Sequence, residues 1–88
     1  MKLLLCKKCQ DVFKLCIGIN KYCECEESSG FYEDDGLNVI ILGEYAVVIG
    51  FNNESLVEAV LNQPDSGLGE EFKAFIIPKQ CGTVKHQN

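Results

Sequence analysis

The feature that most constrains the fold of this sequence is the spacing of four of its six cysteines. Cys6 and Cys9 form a C-x2-C motif, and Cys23 and Cys25 form a C-x-C motif further along the chain. Such short spacings bend the backbone so that both sulfurs of a pair fall on one side, and two such turns complete a tetrahedron of thiolates. Zn²⁺ suits four soft sulfur ligands in a closed structural site. The spacing therefore predicts one structural Zn²⁺ bound by Cys6, Cys9, Cys23 and Cys25.

The alternative is a set of reduced, partly buried thiols that bind no metal. Both cysteine turns are polar and rich in charge, which disfavours burial as the only reason for their thiols. Lys7 and Lys8 lie between the first two cysteines, where their charge offsets that of a tetrathiolate zinc site.

A chain this short gains stability from a bound metal ion. At 88 residues, with 47% apolar and 24% charged residues, the chain has the composition of a small globular domain. A hydrophobic core of that size gives only a few kcal/mol by itself. We find no repeat or linker, so we predict a single domain over residues 1–78 and a flexible C-terminal tail over residues 79–88.

Local patterns in the first half of the chain predict a β-rich α+β fold. Two short strands, Lys2–Leu5 and Val12–Cys16, flank the first cysteine pair and predict a zinc-ribbon-like knuckle. Asn38–Leu42 and Tyr45–Phe51 are rich in Val, Ile and aromatic residues, and Gly43-Glu44 between them suits a type II′ turn. We therefore predict a small antiparallel sheet built around this central hairpin.

The second half of the chain predicts one short helix and a last strand. Asn52 and Asn53 are capping residues, and Ser55 and Glu58 have the spacing of a capping box ahead of an apolar stripe that ends at Leu61. We expect the helix to stop near Gln63-Pro64 and a strand to follow over Phe72–Ile77. The nearly continuous apolar runs of the central hairpin indicate strands covered on both faces, either by this chain or by a second subunit of a homo-oligomer.

Two further cysteines and the single histidine have weaker roles. Cys16 lies among apolar neighbours and is interpreted as a small core residue, although it would replace one of the four ligands if the strand register differed. Cys81 is a second such substitute. Cys81 and His86 together offer only two ligands for a second metal, which is too few to define a site.

The charge balance disfavours nucleic acid as a partner. The net charge is −5, and the chain has eight lysines but no arginine, the residue best suited to bidentate contacts with phosphate and guanine. The amino-terminal region is nevertheless locally basic, which keeps a nucleic-acid-contacting zinc ribbon as an alternative. The lysines of that alternative are Lys2, Lys7, Lys8, Lys14 and Lys21. We find no export signal and no membrane-spanning segment, so we expect a cytoplasmic protein without a membrane partner.

The sequence lacks a recognisable catalytic set, so we do not expect an enzyme. The one histidine, His86, lies two residues from the end, and the consecutive acids Glu33, Asp34 and Asp35 are typical of a solvated turn. Polar and aromatic side chains that suit a ligand cleft are instead spread through the sheet and the helix start. These candidate ligand-binding residues are Tyr32, Tyr45, Phe51, Asn52 and Asn53.

Several motifs occur together in a recognisable order. They are Cys6-x2-Cys9, Cys23-x-Cys25, Ser29-Gly30-Phe31-Tyr32, Gly50-Phe51-Asn52-Asn53 and Phe72-x2-Phe75-Ile76-Ile77-Pro78. The ordered set, which covers the chain from Cys6 to Pro78, resembles a family of short bacterial and phage zinc-ribbon-like proteins that has no assigned activity. Members of that family commonly carry a glycine after the C-x-C motif, where this chain has Glu26.

These observations favour a non-catalytic, zinc-stabilised binding module that recognises a protein surface or a small ligand. One alternative is a phage-type protein that sequesters a small nucleotide-derived signal between subunits, although the missing arginine weighs against phosphate binding. The other is the lysine-based nucleic-acid-contacting ribbon. Salt-dependent retardation of DNA or RNA distinguishes that ribbon from the other two.

Overall fold

The computed structural model describes residues 2–87 and shows eight strands and one helix within them. In chain order they are β1 Lys2–Cys6, β2 Val12–Lys14, β3 Lys21–Tyr22, β4 Ser29–Tyr32, β5 Val39–Leu42, β6 Ala46–Phe51, α1 Asn53–Leu61, β7 Ala74–Ile76 and β8 Val84–Gln87. The strands form two four-stranded sheets. The fold is therefore a strand-rich α+β arrangement with a single short helix in the described part of the chain.

The first sheet has the strand order β2-β1-β6-β7, and all of its neighbouring strands are antiparallel. Leu4 of β1 lies opposite Phe13 on one side and Val48 on the other. As predicted, the strands on either side of Cys6 and Cys9 pair with each other. Observed β1 extends one residue further than expected, to Cys6, and β2 ends at Lys14.

The second sheet has the order β3-β4-β5-β8 and contains one parallel pair, β5 with β8. In that pair Val39 lies opposite Val84. Both faces of β5 are covered, since Val39, Ile40 and Ile41 are all buried. β6 instead alternates buried and half-buried residues along its length, as expected for a strand with one face in the core.

The main core lies where apolar residues of both sheets meet. Its buried members are Leu4, Leu15, Val39, Ile41, Ala46, Val48 and Val84. Burying apolar side chains of this size contributes roughly 1.5–3 kcal/mol each before conformational entropy is counted. The small number of fully buried residues agrees with a chain that needs additional fastening.

The predicted central hairpin is wrong, although both of its strands exist. β5 pairs with β4 and β8, and β6 pairs with β1 and β7, so each strand has both edges occupied by other partners. The Gly43-Glu44 connection therefore carries the chain from one sheet to the other. Gly43 has φ +100°, and a Cβ there would overlap the carbonyl oxygen of Glu27. The predicted single sheet is accordingly two sheets.

Within the described residues, the segment predicted as a flexible tail contains a strand. β8 spans Val84–Gln87 and adds to the second sheet beside β5, and Val84 is buried in the core. The backbone N–H of Val39 donates to the carbonyl of Thr83 at 2.8 Å, which secures the strand's start. Met1 and Asn88, at the two ends of the predicted domain and tail, lie outside the described residues.

The helix is confirmed, but its cap differs in detail. Asn52 is the N-cap, and its Oδ1 accepts a hydrogen bond from the backbone N–H of Ser55 at 2.8 Å. The Ser55 hydroxyl donates to the Asn52 carbonyl, so Ser55 closes the start of the helix and is not itself the cap residue of a box with Glu58. The helix ends at Leu61 with Asn62 as C-cap, near the predicted stop. None of its residues is buried.

The last strand of the first sheet is shorter than predicted. β7 covers Ala74–Ile76, and the flanking Phe72 and Ile77 lie outside it. The ring of Phe75 lies over Gly50 of β6, where an added Cβ would come within 2.7 Å of the ring. β7 is an edge strand, and all three of its residues are exposed.

Candidate metal centre

The two cysteine turns come from different sheets. Cys6 is the last residue of β1, and Cys9 lies in the turn between β1 and β2, which are neighbouring strands of the first sheet. Cys23 and Cys25 lie in the connection between β3 and β4, which are neighbouring strands of the second sheet. The fold thus brings one thiol pair from each sheet to a common position.

Backbone hydrogen bonds fix the first turn. The N–H of Cys6 donates to the carbonyl of Asp11 at 3.0 Å, and the N–H of Gln10 donates to the carbonyl of Cys6 at 2.7 Å. Gln10 completes the turn in the left-handed conformation, with φ 62°. The N–H of Lys7 donates to the carbonyl of Tyr45 at 2.9 Å, so the first turn is also held against the connection between β5 and β6.

The second turn follows the same pattern. The N–H of Cys23 donates to the carbonyl of Ser28, and the N–H of Glu26 donates to the carbonyl of Cys23, both at 3.0 Å. Glu26 has φ 63°, a left-handed conformation that glycine adopts at the least cost. Glu26 therefore has a backbone conformation typical of glycine. The two turns also touch directly, since Asp11 Oδ2 accepts from the backbone N–H of Glu24 at 3.2 Å.

The sulfur atoms of Cys6, Cys9, Cys23 and Cys25 all lie within 4.8 Å of one another. Cys25 Sγ is 3.7 Å from Cys6 Sγ and 3.5 Å from Cys23 Sγ, and all four residues are free thiols without a disulfide. A tetrahedral zinc ion with Zn–S bonds of about 2.3 Å holds its sulfurs about 3.8 Å apart. The four cysteines are therefore placed so that they could hold one metal ion.

Burial divides the four ligands into an inner and an outer pair. Cys6 and Cys23 are 0% and 3% exposed, whereas Cys9 and Cys25 are half-buried. The backbone N–H of Ser28 donates to Cys23 Sγ at 3.4 Å. The hydroxyl of Ser28 is buried and has no hydrogen-bond partner among the described residues. The Cys6 sulfur becomes an acceptor for this hydroxyl when it is a thiolate or bound to metal, which is why Ser28 favours the ionised form of Cys6.

The surroundings shift the pKa values of Cys6 and Cys25 in opposite directions. Burial opposes ionisation of Cys6, but the Ser28 side chain and the backbone of Cys9 and Lys8 outweigh it and lower the pKa of the Cys6 thiol to about 6. A backbone interaction with Glu27 favours the Cys25 thiolate, yet burial and the neighbouring cysteine sulfurs outweigh it and raise the pKa of Cys25 to about 12. Four thiolates this close repel one another, and a divalent cation between them removes the repulsion.

The lysines near the site have distinct environments. Lys8 Nζ lies 3.5 Å from Glu27 Oε1 and 5.9 Å from the centre of the Tyr45 ring. The charge of Glu27 raises the pKa of Lys8, which keeps its ammonium charged beside the cysteine turns. Lys2 Nζ donates to the carbonyl of Leu37 at 2.8 Å, and Lys7 lines a cleft between the sheets. Lys2, Lys7 and Lys8 thus lie in different surroundings.

The remaining candidate metal ligands lie outside the four-sulfur group. Cys16 is half-buried and forms an isolated bridge with Ile19. Cys81 Sγ lies 3.5 Å from Thr83 Oγ1, which lowers the pKa of the Cys81 thiol through hydrogen bonding. His86 lies on β8 and lines the cleft between the sheets.

The five candidate ligand-binding residues do not share one described cavity. Tyr32 accepts a hydrogen bond at its hydroxyl from the backbone N–H of Lys2 at 2.8 Å and lines a shallow cavity beside the acidic loop. Tyr45 lies beneath Lys8, and the Phe51 ring packs edge-on against Phe72 with centres 5.6 Å apart. Asn52 is the helix cap, and Asn53 is the first helical residue. Ligand binding by these residues stays a prediction.

Sequence reasoning missed a cleft of about 580 Å³ between the two sheets. It lies between β6 and β7 on one side and β5 and β8 on the other. Finding the cleft requires the position of β8 to be known. The sequence of β8 gives little indication of a strand, because Val84 is its single apolar residue.

Comparison of the chain with protein-family models, with curated proteins and with solved structures finds no match in any of the three. Within residues 2–87, none of the helical structure has the length and apolar content needed to cross a membrane.

Proposed function

We propose that this protein is a non-catalytic binding module whose two sheets are fastened to each other by one structural Zn²⁺. The observation that carries the proposal is the four-sulfur group, in which each sheet contributes one cysteine pair. The zinc-ribbon-like knuckle of the resembling family is consistent with this arrangement. The partner of the module is a protein surface or a small molecule.

The ligand set supports a structural role for the ion. Structural zinc sites have four protein ligands, whereas catalytic zinc sites have three and keep a fourth position for water or substrate. Here four sulfurs complete the tetrahedron, so the ion has no open position for chemistry. Tetrahedral sulfur sites also suit iron. We favour zinc because it is redox-inert and forms closed four-cysteine structural sites.

The energy scale also supports a fastening role. Structural zinc in small domains contributes an apparent binding free energy of about 10–16 kcal/mol, which is as large as the total stability of about 5–15 kcal/mol of a typical domain. The described chain has few fully buried apolar residues, among them Leu4, Leu15 and Val39. An ion that joins the two sheets therefore decides whether the fold persists.

Metal analysis of the purified chain tests the proposal. Protein produced without added zinc is expected to contain one zinc per chain by elemental analysis and native mass spectrometry. Cys6→Ser should lose the ion, and the matched variant Cys16→Ser, outside the four-sulfur group, should keep it. Metal-free protein with an unchanged melting curve would contradict the fastening role. Metal-dependent turnover of ester, phosphate or peptide substrates would contradict the non-catalytic role.

A further inference from the structure

The cleft between the sheets opens between two edge strands. β7 ends the first sheet and β8 ends the second, and residues of both line the cleft. Its volume of about 580 Å³ falls within the range of roughly 300–1,000 Å³ that small-molecule sites occupy. The space is large enough for a small ligand, and it continues directly from the core.

The inner walls of the cleft are apolar. Ile41, Val48 and Val84 line it and are at most 5% exposed, so they belong both to the cleft and to the core. Ile76 and Ile77 form the wall on the β7 side. These walls favour a ligand whose body is aliphatic, because burying it there removes apolar surface from water without stranding polar groups.

The charged residues of the cleft are exposed and therefore mark its mouth. They are Lys7, Lys79 and one opposing acid, Glu44, and His86 lies with them as a further hydrogen-bonding group. The whole chain has a net charge of −5, but two of the three charged residues at this mouth are lysines, whose ammonium groups can contact an anion. Charge complementarity therefore favours an anionic group on the ligand.

We propose that the cleft between β7 and β8 binds an aliphatic carboxylate, with its chain between the sheets and its carboxylate beside Lys7 and Lys79. The inference rests on the proposed function, since it names the small-molecule class that the binding module takes. The first cysteine turn contributes Lys7 to the site. The backbone N–H of Lys7 donates to the carbonyl of Tyr45, the residue next to Glu44. A polypeptide strand or a second copy of the chain added to the β7 edge is the competing occupant.

Isothermal titration calorimetry of the metal-loaded protein with decanoate, at concentrations below those that form micelles, tests the proposal. Decanoate should bind with one site per chain, and decyltrimethylammonium, with the opposite charge, should bind at least about tenfold more weakly. Binding should move the methyl NMR signals of Ile41, Val48 and Val84. Equal binding of both amphiphiles, or shifts confined to residues outside the cleft, would overturn the proposal.

A charge reversal at the mouth provides the matched comparison. Lys79→Glu should weaken decanoate binding about tenfold or more, because it removes an ion-pair partner and adds a repulsive charge. Lys14→Glu makes the same change on β2, at the far edge of the first sheet, and should leave affinity within about twofold. Both positions are exposed, so neither change disturbs the core. Equal losses of decanoate affinity in the two variants would refute the placement of the carboxylate beside Lys79.

Two measurements on the same sample separate this inference from the proposed function. If zinc is present at one ion per chain but decanoate does not bind, the carboxylate site is wrong and the zinc-fastened fold stands. If zinc is absent, the proposed function fails whatever the ligand result. Sedimentation of the protein with and without decanoate tests whether a second copy of the chain occupies the β7 edge instead. A dimer that persists in decanoate and does not bind it would overturn the proposal.

Discussion

Replacing Gly43 by alanine tests whether the connection between the sheets is held against the second cysteine turn. Gly43 has φ +100°, and a Cβ there would overlap the backbone carbonyl oxygen of Glu27, two residues after Cys25. Because the obstacle is backbone and not the end of a flexible side chain, the two segments must separate. We therefore expect Gly43→Ala to disturb both the sheet connection and the metal centre.

Gly67→Ala is the matched control that isolates the steric effect. Gly67 also has a positive φ, +85°, but a Cβ there meets nothing within 4 Å. An alanine in a left-handed conformation costs roughly 1–2 kcal/mol, offset by about 0.4–1 kcal/mol from lost freedom of the unfolded chain. Gly67→Ala should thus lower the free energy of unfolding by about 0.5–1 kcal/mol.

Gly43→Ala should cost more than its control. It has the same conformational strain, and forcing atoms into an occupied site adds roughly 1–3 kcal/mol or more. The expected total is about 2–4 kcal/mol, measured by urea unfolding of the metal-loaded proteins. Competition with a chromophoric zinc chelator should also show weaker metal binding for Gly43→Ala and an unchanged affinity for Gly67→Ala. Equal losses of stability in the two variants would refute the close approach of Gly43 to Glu27.

Three further predictions concern single local interactions. Asn52→Ala should lower the free energy of unfolding by about 1 kcal/mol through loss of the helix cap, whereas Asn53→Ala at the first helical position should cost less, both measured by urea unfolding. The backbone N–H groups of Leu37 and Asn38 donate to the Asp35 carboxylate and lower the pKa of Asp35 below its ordinary value of 3.8. The ionised carboxylate therefore stabilises the fold above pH 3.8, and this contribution is lost as the pH falls through the folded pKa. The destabilisation caused by Asp35→Ala, measured by urea unfolding, should shrink over the same pH range. Glu26→Gly should raise the melting temperature slightly by relieving the left-handed strain, and Glu24→Gly, in the same turn without a positive φ, should lower it.

Features that depend on neighbouring residues were predictable from the sequence. The spacing of Cys6 with Cys9 and of Cys23 with Cys25 is a local property, and the structure places these four sulfurs together. The start of α1 was similarly predictable because Asn52 and the apolar residues after it lie within one short segment. The identity of Ser55 as the partner of Asn52, however, depended on which asparagine forms the cap.

The pairing of β5 and β6 could not be predicted, because it includes partners from both ends of the chain. Gly43-Glu44 has the composition of a hairpin turn, but the edges of β5 are taken by β4 and β8, and the edges of β6 are taken by β1 and β7. β8 gave no periodic signal, since Val84 is its single apolar residue, and its place beside β5 depends on the core already formed by Val39 and Leu4. The cleft between β7 and β8 follows from that pairing and was missed with it.

X-ray absorption spectroscopy at the zinc edge tests the central claim most directly, because it counts the ligand atoms around the ion. We expect four sulfur neighbours at about 2.3 Å and no nitrogen or oxygen neighbour in the metal-loaded protein. Cys6→Ser should lose the ion or replace one sulfur by a lighter atom, whereas Cys16→Ser should leave the spectrum unchanged. A wild-type spectrum with fewer than four sulfurs, or with histidine nitrogen in the first shell, would contradict the account.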